Sequence, residues 1–307
     1  MKATRTAIID IGTNTFNLLV FEGDLQIVHA EELPVFLGRG GIENGVIADD
    51  AMERGKNALR LFVAKAGALR AERIAGFGTS ALRNAKNGSL LVEFAQQELG
   101  VLISVISGDD EAELILEGVR KAVTFTRKPM LIMDIGGGSI EFILATDKAL
   151  MWKRSFELGV TRLRDRIPVS DPISLTEEER IAQHLDDRLE PLYAIIERHE
   201  PHVLIGSAGS FDSLASIIST ERHEPLLNDA KTMNFTALEF DVLRDKLMRM
   251  TRAERLNVPG LPEHRVDTLP YALIAIDRVL TAGAIRELAW SKYALKEGGA
   301  SRMISTN

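Results

Sequence analysis

"MDIGGGSIEF", residues 133–142, sets three glycines and a serine between an acidic residue and a second apolar run. A weaker copy, "IDIGTNTFNL", occupies residues 9–18. In both copies Asp-Ile-Gly follows a run of Ile, Leu or Met, small or polar residues come next, and another apolar run begins, so that Asp10 corresponds to Asp134. A strand that ends in Gly136, Gly137, Gly138 and Ser139 and returns as a second strand gathers backbone N–H groups with no Cβ to block a bulky anion. Thr13, Asn14 and Thr15 add hydroxyl and amide donors at the corresponding place. Two such loops facing across a cleft, one per domain, would grip adjacent phosphates, or one phosphate and its metal. The aspartate before each turn is a hard oxygen ligand suited to Mg²⁺, which takes one or two carboxylates and keeps several waters. The same residues also fit two tight hairpin turns with turn-capping aspartates. Recurrence of the aspartate in register favours the phosphate reading.

Composition frames this repeat. The chain has 307 residues, 45% of them hydrophobic, which is more core than one domain usually needs and points to two. A formal net charge of −7 makes the bulk surface repel a polyanion unless Lys and Arg gather in one groove, so a basic nucleic-acid binder is not expected. The absence of cysteine removes disulfides, thiolate chemistry and Cys-ligated metals. The opening "MKATRTAIIDIG" meets an aspartate after a few apolar residues, and no stretch approaches membrane-spanning length. A soluble, cytoplasmic protein without a membrane partner is expected.

Strands and helices alternate along the chain, which implies an α/β fold. Residues 7–11 and 16–21 read as a hairpin pair. Met52, Leu59, Phe62, Val63, Ala66 and Leu69 recur at helical spacing. "RIAGFGTSALRNAKNG" reads as strand, turn and short helix, and residues 89–99 as a helix closed by Gly100. "VLISVIS" reads as a buried strand, followed by a helix with an acidic start, "GDDEAELILEGVRKAV", and the strand at Met130. A hairpin over residues 140–156 and a long helix opened by a capping box at Ser174 and Glu177 follow. "HVLIGSAGSFDSLASI" reads as strand, glycine turn and helix. Helices over residues 236–250 and 262–280 and a strand-like "ELAWSKYAL" complete the chain.

The segments "IDIGTNTFNLLV", "GTSALRNAKN", "VISGDDEAELILEGV", "MDIGGGSIEFIL" and "GSAGSFDSL", in this order and spacing, resemble the Ppx/GppA phosphatase family over nearly the whole chain. These are exopolyphosphatases and guanosine pentaphosphate phosphohydrolases of the actin/Hsp70/sugar-kinase superfamily. The resemblance implies two ribonuclease-H-like domains, residues 1–125 and 126–307, with the active site in the interdomain cleft. It also implies hydrolysis of a terminal phosphoanhydride, with inorganic polyphosphate or pppGpp as partner and Mg²⁺ or another divalent cation as cofactor. A homodimer is compatible with this reading.

The family pattern puts its catalytic carboxylate at Glu111, where it would take a proton from the attacking water. As bare residues, Asp109, Asp110 and Glu111 also suit the positive end of the helix they start. Arg83 matches a phosphate clamp, since a guanidinium binds two phosphate oxygens at once, although a solvated helix arginine has the same pattern. Glu141 aligns with a family glutamate that orders the second loop or binds metal through water. Ser207, Gly209 and Ser210 resemble the superfamily's adenosine motif, whose N–H groups here would hold phosphates, unless the glycine only allows close strand-to-helix packing. "ELGVTRLRDR" places Arg162 near the cleft, with Arg164 and Arg166 facing solvent or a long anion. Arg265 and Asp267 match family positions and are expected to pair with one another.

Two departures qualify the match. Glu113 stands where many members carry Arg, removing a cation near the reaction centre, and Lys296 replaces a more usual Arg. The chain also stops where longer relatives continue into further helical domains, which favours shorter polyphosphates or a nucleotide. A superfamily kinase or ATPase, and a non-catalytic sensor of pppGpp or polyphosphate, are the rival readings, the first opposed by "SGDDEA".

Overall fold

The computed structural model describes residues 4–227 and 229–305, so the expected domain limits at residues 1 and 307 lie outside the described residues. The first apolar repeat folds as a hairpin, β1 (Arg5–Ile11) against β2 (Thr15–Glu22), with Asp10 opposite Asn17. β3 (Gln26–Pro34) adds to β2, and α1 (Asp49–Ala68) carries the chain over to β4 (Arg73–Gly78), parallel to β1. The helical spacing of α1 buries Met52, Leu59, Phe62 and Ala66 on one face. After α2 (Ser80–Asn84) comes α3 (Ser89–Leu99), which ends at Gly100 with φ of 66°, a left-handed stop that glycine adopts without steric cost. β5 (Leu102–Val105) completes a sheet of order β3-β2-β1-β4-β5. It is not the buried strand that its composition predicts. β5 is an edge strand whose Leu102 is 66% exposed, and only Ile103 turns into the core.

The second apolar repeat folds alike. After α4 (Gly108–Val119), β6 (Met130–Ile135), β7 (Ile140–Ala145) and β8 (Leu150–Phe156) form an antiparallel meander. β6 and β7 are buried throughout, as continuous apolar runs covered on both faces should be. α5 (Val160–Arg166) and α6 (Leu175–His199) lead to β9 (Val203–Ser207), parallel to β6, and α6 opens on the expected Ser174–Glu177 capping box. α7 (Ala208–Glu221), β10 (Thr232–Thr236), α8 (Ala237–Arg249), α9 (Arg252–Arg255), α10 (Leu269–Gly283) and β11 (Glu287–Ser291) complete a sheet of order β10-β11-β9-β6-β7-β8. The helix expected from residue 262 starts at Leu269; before it lies a single 3₁₀ turn, Glu263–Arg265.

A last helix, α11 (Leu295–Ser305), has no counterpart in the sequence reading, because the two glycines of "KEGG" argue against helix. Packing overrides that propensity. α4 leaves the first sheet to lie against β7 and β8, while α11 returns from the second sheet to cover β1 and β2 and to cross α4. The crossing is backbone to backbone: a Cβ at Gly118 would run into the Ala294 carbonyl, and one at Gly298 into the Leu114 carbonyl. The helix that carries Glu111 in its first turn is thereby fixed between the two sheets.

Candidate active site

The two Asp-Ile-Gly turns close in the same way. The Gly12 N–H donates to the Thr15 carbonyl at 3.1 Å, and the Gly136 N–H to the Ser139 carbonyl at 3.0 Å. The N–H groups of Thr13, Asn14, Gly137 and Gly138 donate to no acceptor among the described residues, so both loops offer donors. None of Gly136, Gly137 and Gly138 has a left-handed φ. Two of them are glycine because the loops touch. A Cβ at Gly137 would sit 2.6 Å from the Asn14 side chain, and one at Gly138 2.5 Å from Ser80 Oγ and 2.6 Å from Thr13 Oγ1. Thr161 Oγ1, at the start of α5, donates to Asn14 Oδ1 at 2.5 Å, and the Thr161 N–H to the Gly137 carbonyl at 2.9 Å. The contact locks one loop to the other.

Between the sheets lies a cavity of about 140 Å³. Its walls include Asp10, Thr13, Asn14 and Thr15 from the first half, Asp134 and Gly136 to Ser139 from the second, Gly209 and Ser210 from α7, and Glu111. Three expected site residues stand behind this wall. Ser207 is fully buried, and its hydroxyl donates to Asp134 Oδ2 at 2.5 Å, so it fixes the aspartate. Glu141, 1% exposed, is the cross-strand partner of Asp134 and accepts from Ser155 Oγ at 2.6 Å. Arg83 reaches Glu111 Oε2 at 2.8 Å and the Ile106 carbonyl at 3.1 Å, so its guanidinium faces the carboxylate. The turn before α7 is also not a glycine turn: Ala208 is left-handed at φ of 62°, and Gly209 makes room for the Arg265 guanidinium.

Four carboxylates crowd on or behind this wall, Asp10 half-buried and Glu111, Asp134 and Glu141 buried. Burial raises Asp10 to about 7 against the charge of Lys296 and a hydrogen bond from Asn17. It raises Glu111 to about 7 although Arg83 opposes it, with Asp10 and Asp134 adding repulsion. Asp134 rises to about 6, again through burial, and Glu141 is pushed well up by burial and by the charges of Glu111 and Asp134. So many carboxylates in a dry space cannot all ionise without added positive charge. The donors are all hard oxygen, as Mg²⁺ prefers. Among the described residues no group of three or more His, Cys, Asp or Glu is placed to hold a metal ion.

Other charges fall differently from the sequence reading. Arg265 pairs with both carboxylate oxygens of Glu32 at 2.7 Å, and Asp267 pairs with Arg252 at 2.7 Å, rather than with one another. Arg164 and Arg166 pair with Asp165 and Glu43. The Glu113 carboxylate is matched by Lys153 at 2.6 Å and Arg302 at 3.6 Å. Arg162 does reach the second loop, its Nε donating to the Gly138 carbonyl at 3.1 Å. Lys296, noted only as standing in for a more usual Arg, lines the cavity, and so does Asp212, which no motif marks. Burial works against the Lys296 charge, but Glu297, Asp212 and Asp10 outweigh it and hold the ammonium more basic than usual. Its helix was not legible in the sequence, so neither was its position.

Two α/β halves, each closing its first hairpin with Asp-Ile-Gly over one acidic cavity, define a protein of the actin-like class. The chain belongs to the Ppx/GppA phosphatase family, whose model matches residues 19–306. The crystal structure of an exopolyphosphatase from Cytophaga hutchinsonii superposes with a TM-score of 0.95 at 35% identity, covering 99% of this chain and 98% of that one. Exopolyphosphatase 2 of Mycobacterium tuberculosis is 28% identical over 94% of this chain and 93% of its own. A guanosine-5'-triphosphate,3'-diphosphate pyrophosphatase of Vibrio atlanticus is 28% identical over 97% of this chain but only 59% of its own length. The chain is thus a hydrolase of a family of exopolyphosphatases and pppGpp hydrolases, with an α/β fold related to the actin/Hsp70/sugar-kinase superfamily. No helix among the described residues is long and apolar enough to cross a membrane.

Proposed function

We propose that the protein is an exopolyphosphatase that hydrolyses the terminal phosphoanhydride of inorganic polyphosphate and releases orthophosphate. The observation that carries this reading is Glu111: a carboxylate 7% exposed, with a pKa raised to about 7, on the wall of a cavity that two donor loops share. A base poised near neutrality is what proton abstraction from water requires. The end of the chain lies between the N–H and hydroxyl donors of Thr13 to Thr15 and of Gly136 to Ser139. Water held by Glu111 gives up a proton to Oε as its oxygen bonds to the terminal phosphorus. The P–O bond to the next phosphate breaks, leaving a chain one unit shorter. Arg83 keeps Glu111 aimed and shares the charge that develops. Asp10 and Asp134 would hold Mg²⁺, whose charge would offset that of the phosphates, while Glu141 orders the second loop through Ser139 and Ser155. Closing the two domains over the cleft excludes bulk water.

Hydrolysis of pppGpp is the second reading, favoured by the match to the Vibrio atlanticus protein, since both substrates end in the same phosphoanhydride. The test is phosphate release from polyphosphate and from pppGpp with Mg²⁺. Glu111→Gln keeps the shape and removes the base, and is expected to slow release about 10²- to 10⁴-fold. A variant as fast as the wild type would sink the mechanism, and the faster wild-type substrate decides between the two.

A further inference from the structure

Beside the second loop, donors from both halves converge on one carboxylate. Ser80 Oγ donates to Glu157 Oε2 at 2.9 Å, Arg162 Nη2 donates to the same oxygen at 2.8 Å, and Arg83 Nη2 lies 3.4 Å from Oε1. Ser80 and Arg83 belong to α2 of the first half, Arg162 to α5 of the second. The cluster adjoins the cavity. Ser80 lines it, and Arg162 holds the carbonyl of Gly138, another lining residue. Glu157 itself sits on the bend between β8 and α5 with its side chain 42% exposed, whereas those of Arg83 and Arg162 are only 18% and 11% exposed.

We propose that Ser80, Arg83 and Arg162 form a subsite for the phosphate that follows the scissile one, and that Glu157 occupies it in the empty protein and is displaced by the substrate. The inference rests on the phosphoanhydride reading of the cavity and deepens it. Two half-buried guanidinia and a hydroxyl that meet at one point form an anion site, because guanidinium forks match the oxygens of phosphate as well as those of carboxylate. The carboxylate they share is the most exposed member of the group and can swing into water, while Glu111 stays 2.8 Å from Arg83 and Glu43 3.6 Å from Arg162. An exposed ion pair is worth little, so exchanging one carboxylate for a more highly charged phosphate favours the ligand. Glu157 then acts as a selectivity residue: every anion that enters must compete with it, and one too short to reach past the terminal phosphate gains nothing from the subsite.

Structural and competitive roles predict opposite signs. If Glu157 only held Arg83 in place for Glu111, removing its charge would weaken ligand binding. If it competes with the ligand, removing its charge strengthens binding. The probe is diimidotriphosphate, whose P–N–P bridges resist hydrolysis, titrated calorimetrically with Mg²⁺ into wild type, Glu157→Gln and Arg162→Met. Glu157→Gln is expected to bind about three- to tenfold tighter, the range set by one partly exposed ion pair, and Arg162→Met weaker than wild type. Imidodiphosphate, one unit shorter, should gain less from Glu157→Gln. A β,γ-imido nucleoside triphosphate tells a nucleotide ligand from a bare chain by which of the two shows the larger gain. Equal or weaker binding by Glu157→Gln, with wild-type binding intact, overturns the subsite and leaves the hydrolase reading standing. Absence of binding in all three proteins overturns both.

Discussion

The two Asp-Ile-Gly hairpins share a backbone and differ in chemistry. Opposite Asp10 stands Asn17, whose amide donates to the aspartate at 3.1 Å; opposite Asp134 stands Glu141, a second carboxylate. The first loop carries Thr13, Asn14 and Thr15, the second mostly glycine, and Asn14 fills the room that Gly137 leaves. The duplication therefore supplies two donor loops, and their divergence lets one close on the other. It also concentrates negative charge on the second side.

The sharpest way to break the comparison is to neutralise the first aspartate. Asp10→Asn is expected to lower phosphate release about 10³-fold, as loss of a charge-stabilising group in an active site does. The same change should stabilise the protein at pH 8 in the presence of a chelator. The sign follows from the raised pKa. An unfolded Asp10 ionises near 3.8, the folded one only near 7. Between these values the native state binds the extra proton, so stability falls as pH rises from about 4 to about 7 and stays low above. Melting temperatures of the wild type should decline over that window, and Asp10→Asn should flatten the decline. A variant that melts lower than wild type at pH 8 would show that Asp10 is stabilising when charged.

A smaller loss is expected from Gly137→Ala, whose methyl would press on Asn14. Activity should drop about tenfold, the scale on which misplaced groups cost rate, and Asn14→Ser should restore part of it in the double variant. Additive losses would mean that the loops do not share this contact. The smallest effect is expected at Glu141, off the cavity wall. Glu141→Gln should change activity by less than about tenfold while raising the melting temperature at neutral pH, because it removes one of several mutually repelling buried acids. A loss as large as that of Asp10→Asn would make the two sides equivalent after all.

Local signals in the chain are legible without the fold. The hairpins, the face of α1, the Gly100 stop and the Ser174–Glu177 box all appear where periodicity and capping chemistry predict them. A repeat marks Asp10 and Asp134 and a family motif marks Glu111, and the fold brings all three to the wall of one cavity. Legibility ends where a neighbour in space decides. Nothing in "VLISVIS" says that β5 lies at an edge, and nothing in "KEGG" says that α4 lies close enough to require glycine. Arg265 and Asp267 are two residues apart yet bind different partners, because Glu32 and Arg252 arrive from distant elements.

What the sequence by itself determined is the set of elements and the chemistry of the two loops, since backbone propensity and side-chain type act over a few residues. Only the tertiary structure decided which carboxylates lose their water, where Lys296 ends up, and that Glu157 sits between two arginines. Desolvation and charge pairing depend on groups many residues apart in the chain, and no local pattern records them.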